Sequence, residues 1–206
     1  MNAERLLALY EKVAEAPDAV PRLRRFVLDL AVRGKLVPQD AGDEPVAGHL
    51  RRIEAASEIT RECPASWACV PLGKILDFKY GKGMKASERL EEGPVPVFGS
   101  NGVVGYTTTP LTDQPAIIIG RKGSAGALNL CNGPSWTTDV AYFVEAPSFL
   151  DLQYLFLALQ TLELDTLGKG VKPGLSRADA YPLAVLIPPL AEQRRIVAKV
   201  EELMAL

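Results

Sequence analysis

Two short runs of this 206-residue chain combine cations with glycines, which suits contact with a polyanion. They are Gly81-Lys82-Gly83-Met84-Lys85-Ala86 and Gly120-Arg121-Lys122-Gly123-Ser124-Ala125-Gly126. Glycine lets a backbone approach a phosphate closely. Lys82, Lys85 and Lys122 supply point charges, Ser124 a hydroxyl, and Arg121 a planar fork able to grip guanine O6 and N7 together. A third basic run, Lys169-Gly170-Val171-Lys172-Pro173-Gly174, follows later. Each run is also compatible with a plain turn carrying solvated cations. Asn101, in Ser100-Asn101-Gly102, has two readings: an adenine reader, or a residue present because it tolerates a left-handed backbone. Thr137, in Ser135-Trp136-Thr137-Thr138-Asp139, either meets a nucleic-acid backbone or begins a strand, and Trp136 reads first as core packing.

Other chemistries fit poorly. Gly81-Lys82-Gly83-Met84-Lys85-Ala86 matches G-x-G-x-x-G/A in form, but a dinucleotide site also needs an acidic residue about twenty positions on, and 98–106 contains none. The 120–126 run has Lys-Gly-Ser where a P-loop has Gly-Lys-Ser. Pro188-Pro189 lacks the flanking polar and aromatic residues of a base methyltransferase pocket. No clustered carboxylates with a nearby lysine suggest metal-assisted hydrolysis, and no G-x-S-x-G elbow accompanies the single histidine, His49. Cys63, Cys69 and Cys131 lack metal-knuckle spacing and read as reduced thiols. The expectation is a non-catalytic, cytoplasmic chain with no cofactor or metal of its own and no membrane segment.

The formal charge of −2 counts against nucleic acid as a partner, because duplex binding relies on neutralised phosphates. Local distribution counts the other way. Within 79–122 the cations Lys79, Lys82, Lys85, Arg89, Arg121 and Lys122 meet only Glu88, Glu91, Glu92 and Asp113.

The elements that must hold these runs are helical first and stranded later. Leu6, Tyr10 and Val13 repeat at helical spacing; Leu23, Phe26, Val27 and Leu30 restart the pattern until Gly34; a third helix after Pro45 would turn Val46, Leu50 and Ile53 inward. From Trp67 short apolar runs predict strands at 69–70, 77–80, 95–98, 103–106, 116–119, 128–131, 140–144 and 183–187, with helices at 84–92 and 151–161. Because strands and helices do not alternate regularly, the expected class is α+β, a twisted and mostly antiparallel β-rich domain with an N-terminal helical arm and a C-terminal amphipathic helix of coiled-coil type. Ser176-x-x-Asp179 has the spacing of a capping box. Pro188 and Pro189 end the last strand, Glu192 suits a helix N-terminus, and Ile196, Val197, Val200, Leu203 and Met204 form an apolar face expected to meet another subunit. The expected division is 1–62 arm, 63–188 recognition domain and 189–206 beginning of the helix.

The run Pro188-Pro189-Leu190-Ala191-Glu192-Gln193-Arg194-Arg195-Ile196-Val197 resembles the region that closes a target recognition domain in specificity subunits of type I restriction and modification enzymes. The resemblance extends to 168–176, to Arg121-Lys122-Gly123-Ser124-Ala125-Gly126, and to Pro64-Ala65-Ser66-Trp67 with Pro71-Leu72-Gly73; residues 23–38 resemble the amino-terminal arm of a subset of these subunits. It implies a sequence-specific DNA-recognition component that reads one half of a bipartite double-stranded site and directs DNA methylation and restriction. The modification subunit would dock on it and carry S-adenosylmethionine; the restriction subunit would join through the complex and carry ATP. A complete subunit of this kind has two recognition domains and two spacer helices. One domain here implies a half-subunit that could pair as a homodimer, or a fragment, which Leu206 inside the heptad favours. The alternative from another class is a docking module that binds the modification subunit without reading DNA.

Overall fold

The computed structural model describes residues 18–52, 63–168 and 174–205. Helix α1, Ala19–Val32, turns Val27 and Ala31 into the core. It stops where Gly34 takes φ +68°, so that Gly34 N–H reaches the Ala31 carbonyl (3.4 Å) and Lys35 N–H the Leu30 carbonyl (2.9 Å), a closure that suits glycine. A short helix α2, Ala47–Arg52, follows, with Val46 and Leu50 buried. The expected helix at Leu6, Tyr10 and Val13, and the inward role of Ile53, fall outside the described residues.

Three sheets follow. Strand β1, Ala68–Pro71, pairs antiparallel with β9, Ala184–Ile187, joining the two ends of the β-rich region. The largest sheet is antiparallel throughout, in the order β2 (Lys79–Tyr80), β8 (Ala141–Val144), β5 (Ala116–Gly120), β6 (Leu128–Cys131). The third has β3 (Val95–Gly99) between antiparallel β4 (Gly102–Thr107) and a short parallel partner, β7 (Trp136–Thr137). The α+β, mostly antiparallel expectation holds. The β5 run is apolar without interruption because both its faces are covered. Ile117 and Ile119 join the main core, while Ile118 packs on the opposite side with Phe98 and Ala141.

The main core is closed by helix α3, Leu152–Gln160, through Tyr154, Leu155, Ala158 and Leu159. The Asp151 carboxylate caps it, accepting from the N–H groups of Gln153 (2.9 Å) and Tyr154 (3.0 Å). A one-turn helix α4, Arg177–Ala180, begins at Ser176, whose hydroxyl accepts from Asp179 N–H (3.2 Å), as the capping spacing predicted. Helix α5, Leu190–Met204, lays Ile196 and Val200 into the same core.

Two expectations are corrected. Residues 84–92 form only a single 3₁₀ turn, Ala86–Glu88. No buried face rewards a helix there, and Leu90 instead exchanges both backbone hydrogen bonds with Tyr106, extending the outer edge of β4. The strand expected at 77–80 begins only at Lys79, because Phe78 N–H is taken by the Tyr181 hydroxyl (3.0 Å).

Candidate nucleic-acid interface

The candidate loops meet at one end of the large sheet, tied together by backbone groups. At the exit of β5, Gly120 has no room for a side chain: a Cβ there would lie 2.0 Å from the Ser124 carbonyl oxygen and 2.5 Å from that of Ser100. The loop therefore folds back on itself and against the β3–β4 turn. Arg121 and Lys122 donate their N–H groups to the Val140 carbonyl (2.9 and 3.0 Å), and Leu175 N–H donates to the Arg121 carbonyl (2.9 Å). Gly81 is pressed on β7 in the same way, 2.1 Å from the Thr138 carbonyl oxygen if it carried a Cβ. Lys82 N–H then donates to the Thr137 carbonyl (2.9 Å), and the Trp136 indole N–H to the Lys82 carbonyl (3.0 Å). These contacts hold residues 81–83, 99–102, 120–126, 136–140 and 174–177 in one neighbourhood.

Within it, Lys82, Lys122 and Asn101 are exposed, Ser124 is half-buried, and Lys85 is exposed on the adjoining 3₁₀ turn. Asn101 is not there to supply a left-handed backbone, because the positive φ of that turn, +112°, belongs to Gly102. Thr137 is corrected: its side chain is fully buried and its hydroxyl has no partner, so it positions Lys82 through its carbonyl and offers nothing to a ligand. Lys169 and Lys172 fall outside the described residues. Lys79 is engaged with Glu145 (2.6 Å), which also accepts from Thr112; the ammonium first, and then that hydroxyl, hold the Glu145 carboxyl below the usual carboxylate range.

Arg121 is less free than its sequence position suggests. Its Nε and Nη2 both donate to the Asp139 carbonyl (3.2 and 2.6 Å), which occupies part of the fork a guanine would need. Its guanidinium lies 5.2 Å from the Tyr80 ring centroid and 5.9 Å from that of Tyr142. Arg177 lies over Tyr80 at 4.3 Å. Tyr80 does not stand out as a site residue in the sequence, and Arg177 shows there only as a cation clustered with Lys169 and Lys172; the further signal was an aromatic directly before a basic glycine turn. Tyr80 is 52% exposed, and Arg177 beside it holds its phenol below the ordinary value. Burial pushes Tyr142 up to about 12, and its hydroxyl donates to the Leu175 carbonyl (3.1 Å).

The proline-rich run has a different part. Glu192 is fully buried, with one carboxylate oxygen accepting from Gln39 Nε2 (2.6 Å) and the other from the Trp67 indole (2.8 Å). Burial raises its carboxyl above the usual range against the opposing pull of those donors. Gln193, also fully buried, donates to the carbonyls of Phe149 (3.0 Å) and Pro188 (2.9 Å) and accepts from Asp151 N–H (2.6 Å). Arg195 forks onto the Asp43 carboxylate (3.1 and 2.5 Å) and holds that carboxyl low. The motif thus fastens the segment after α1, the start of α3 and the end of β9 to one helix. The expectation that α5 offers its apolar face to another subunit is corrected for Ile196 and Val200, which are buried in this chain's own core; Val197, Leu203 and Met204 are half-buried at its margin.

Among the described residues no group of three or more His, Cys, Asp or Glu could hold a metal ion, and no helix is long and apolar enough to cross a membrane. His49 packs near Phe149, ring centroids 6.0 Å apart.

Residues 64–205 match the family model described as the type I restriction modification DNA specificity domain. The chain is 58% identical to the specificity subunit of the type I restriction enzyme EcoAI of Escherichia coli, over 91% of this chain and 40% of that protein. It is 26% identical to the EcoEI specificity subunit of Escherichia coli, over 91% of this chain and 39% of that protein. Among solved structures, the S subunit of a type I restriction-modification system from M. genitalium aligns with a TM-score of 0.63 at 22% identity, over 98% of this chain and 53% of that one. The HsdS subunit of Thermoanaerobacter tengcongensis aligns at 0.60 and 22% identity, over 98% of this chain and 48% of that one. These structural likenesses concern the fold. The chain spans about 40% of the curated relatives' length and about half of the solved chains.

Proposed function

The chain belongs to the type I restriction modification DNA specificity family, and from that premise we propose that it reads one half of a bipartite duplex site and docks a modification subunit. The observation that carries this reading is the convergence of the 81–83, 99–102 and 120–126 loops at one end of the sheet, with Lys82, Lys122 and Asn101 exposed. Glycines and buried strands fix these loops, so the cost of ordering them is met in folding and not at the DNA.

On this reading the chain, working in the cytoplasm, supplies specificity and no catalysis. S-adenosylmethionine belongs to the modification subunit, and ATP to a restriction subunit that joins through the complex. Residues 63–188 act as the recognition domain, 1–62 as an arm, and 189–206 begin a spacer helix. Of the apolar face on that helix, Val197, Leu203 and Met204 are left to meet a modification subunit or a second copy. Mapping methylated sites in cells that express the intact system tests the reading. A defined half-site that changes when residues 81–126 are exchanged supports it. Methylation that ignores the exchange, with the complex still assembled, would leave only a docking module.

A further inference from the structure

Arg121 and Arg177 come from distant parts of the chain, yet their guanidiniums lie 5.2 and 4.3 Å from the centroid of one exposed tyrosine ring, Tyr80. The arrangement is built. Arg121 is held by the Asp139 carbonyl (3.2 and 2.6 Å), and its own carbonyl receives Leu175 N–H (2.9 Å), which brings the 174–177 segment to the loop. Tyr80 packs on Tyr142, centroids 5.0 Å apart, while Tyr142 is anchored through its hydroxyl to Leu175. Two like charges gathered on one ring repel, and cation–π attraction at an exposed ring offsets only about 0.5–1 kcal/mol. Among the described residues Arg177 pairs with the Asp77 carboxylate at 3.5 Å, a contact that is long and, with Asp77 68% exposed, too wet to neutralise two cations. Asp139 contributes its carbonyl, and its side chain also lies near the adjoining turn, 3.7 Å from a Cβ placed on Gly83.

We infer that Arg121, Arg177 and Tyr80 form a seat for a backbone phosphate of the duplex, with the two guanidiniums as donors and the tyrosine ring as the platform that holds them in place. The inference rests on the DNA-reading proposal and makes it more specific: Arg121 sets register on the sugar-phosphate backbone, and base discrimination falls to other residues of the same neighbourhood, Asn101 foremost. A phosphate can take a remaining N–H from each of the two pre-placed guanidiniums, whereas an Arg121 fork half-occupied by the Asp139 carbonyl does not suit bidentate reading of guanine.

The test uses the full chain assembled with its modification subunit, titrated with target and scrambled duplexes across a range of chloride concentrations. Arg177→Ala should weaken both duplexes by roughly the same factor, about tenfold at moderate salt, and reduce the slope of log K against log salt by about 1. Tyr80→Leu should weaken both by a smaller common factor, and Asp77→Asn should tighten both. Phenol titration checks that Arg177→Ala acts locally, since it should return Tyr80 toward its ordinary value while the unfolding midpoint holds. A loss confined to the target would overturn the seat in favour of base reading. An unchanged slope would overturn it outright. Inorganic phosphate should displace the duplex no more than its ionic strength requires; displacement beyond that would indicate a site for free phosphate. A wild-type complex that fails to prefer its target would sink the DNA-reading proposal instead, and the seat could still be judged from the scrambled duplex.

Discussion

Strand β8 runs between two regions that use polar side chains in opposite ways. Beyond its far end, at Phe149 and Asp151, Gln193 is buried with its amide oxygen and nitrogen both engaged by backbone groups, and Glu192 nearby has both oxygens engaged. At its near end, around Ala141, the loops are held by backbone hydrogen bonds, and Lys82, Lys85 and Lys122 make no ion pair among the described residues. A side chain whose donors and acceptors are all used in folding can report on family membership but cannot meet a ligand. A loop whose backbone does the holding leaves its side chains for recognition. The motif most diagnostic of the family therefore lies in the part that fastens the fold, and the proposed reading surface lies in the basic glycine loops.

The contrast breaks most sharply at Gln193. Gln193→Ala leaves two buried carbonyls and the Asp151 N–H without partners, and at roughly 1–3 kcal/mol for each orphaned group a total loss of about 3 kcal/mol or more is expected. Urea unfolding measures it, and a loss below about 1 kcal/mol would show that water or a neighbour replaces the amide.

Asn101 and Lys122 sharpen the other side. Asn101→Ala should cost the target duplex about 1–3 kcal/mol and the scrambled duplex little, as expected of a base-edge contact. Lys122→Ala should weaken both alike and lower the salt slope by about 0.9. Neither should change the unfolding free energy by more than about 0.5 kcal/mol, because exposed side chains away from packing seldom do. A stability loss like that of Gln193→Ala at either residue would erase the distinction.

The smallest expected effect is a pH dependence within the fastening region. Asp43 is held low by Arg195, so its pairing adds stability that is present above the unfolded carboxyl value, near about 4, and is lost as pH falls through the folded one. Glu192 is held high by burial and acts in the reverse direction: its contribution is full below the unfolded value and is lost as pH rises through the folded one. Asp43→Asn should therefore destabilise at pH 7 by on the order of 1 kcal/mol or less, Arg195 being partly exposed. Its deficit relative to wild type should shrink on acidification. Unfolding midpoints at pH 7 and pH 3.5 decide this, and a deficit that grows in acid would contradict the assignment.

Much of the fold was legible. The apolar run at β5, the Gly34 stop and the Ser176 cap are local, and each element formed where its residues predicted. The helix expected at 84–92 failed because spacing alone does not say whether anything lies opposite its apolar face. The exposed candidates Lys82 and Lys122 were legible because they sit in basic glycine loops. The meeting of Tyr80 with Arg177 was hidden because it joins two distant segments, and the burial that removes Thr137 from the candidates is not written in its spacing. Glu192 read as a carboxylate suited to a helix N-terminus; the packing of Trp67 and Gln39 against it shows that it also lies inside.

The central claim is that the exposed loop neighbourhood, and not the buried helix motif, reads DNA. Its most direct measurement is competition binding by the complex with the modification subunit, target against scrambled duplex, for wild type and Asn101→Ala at one fixed salt concentration. The account predicts clear preference for the target in wild type and a preference reduced by roughly tenfold or more in the variant, with scrambled-duplex affinity unchanged. Equal affinity for both duplexes in wild type would contradict it.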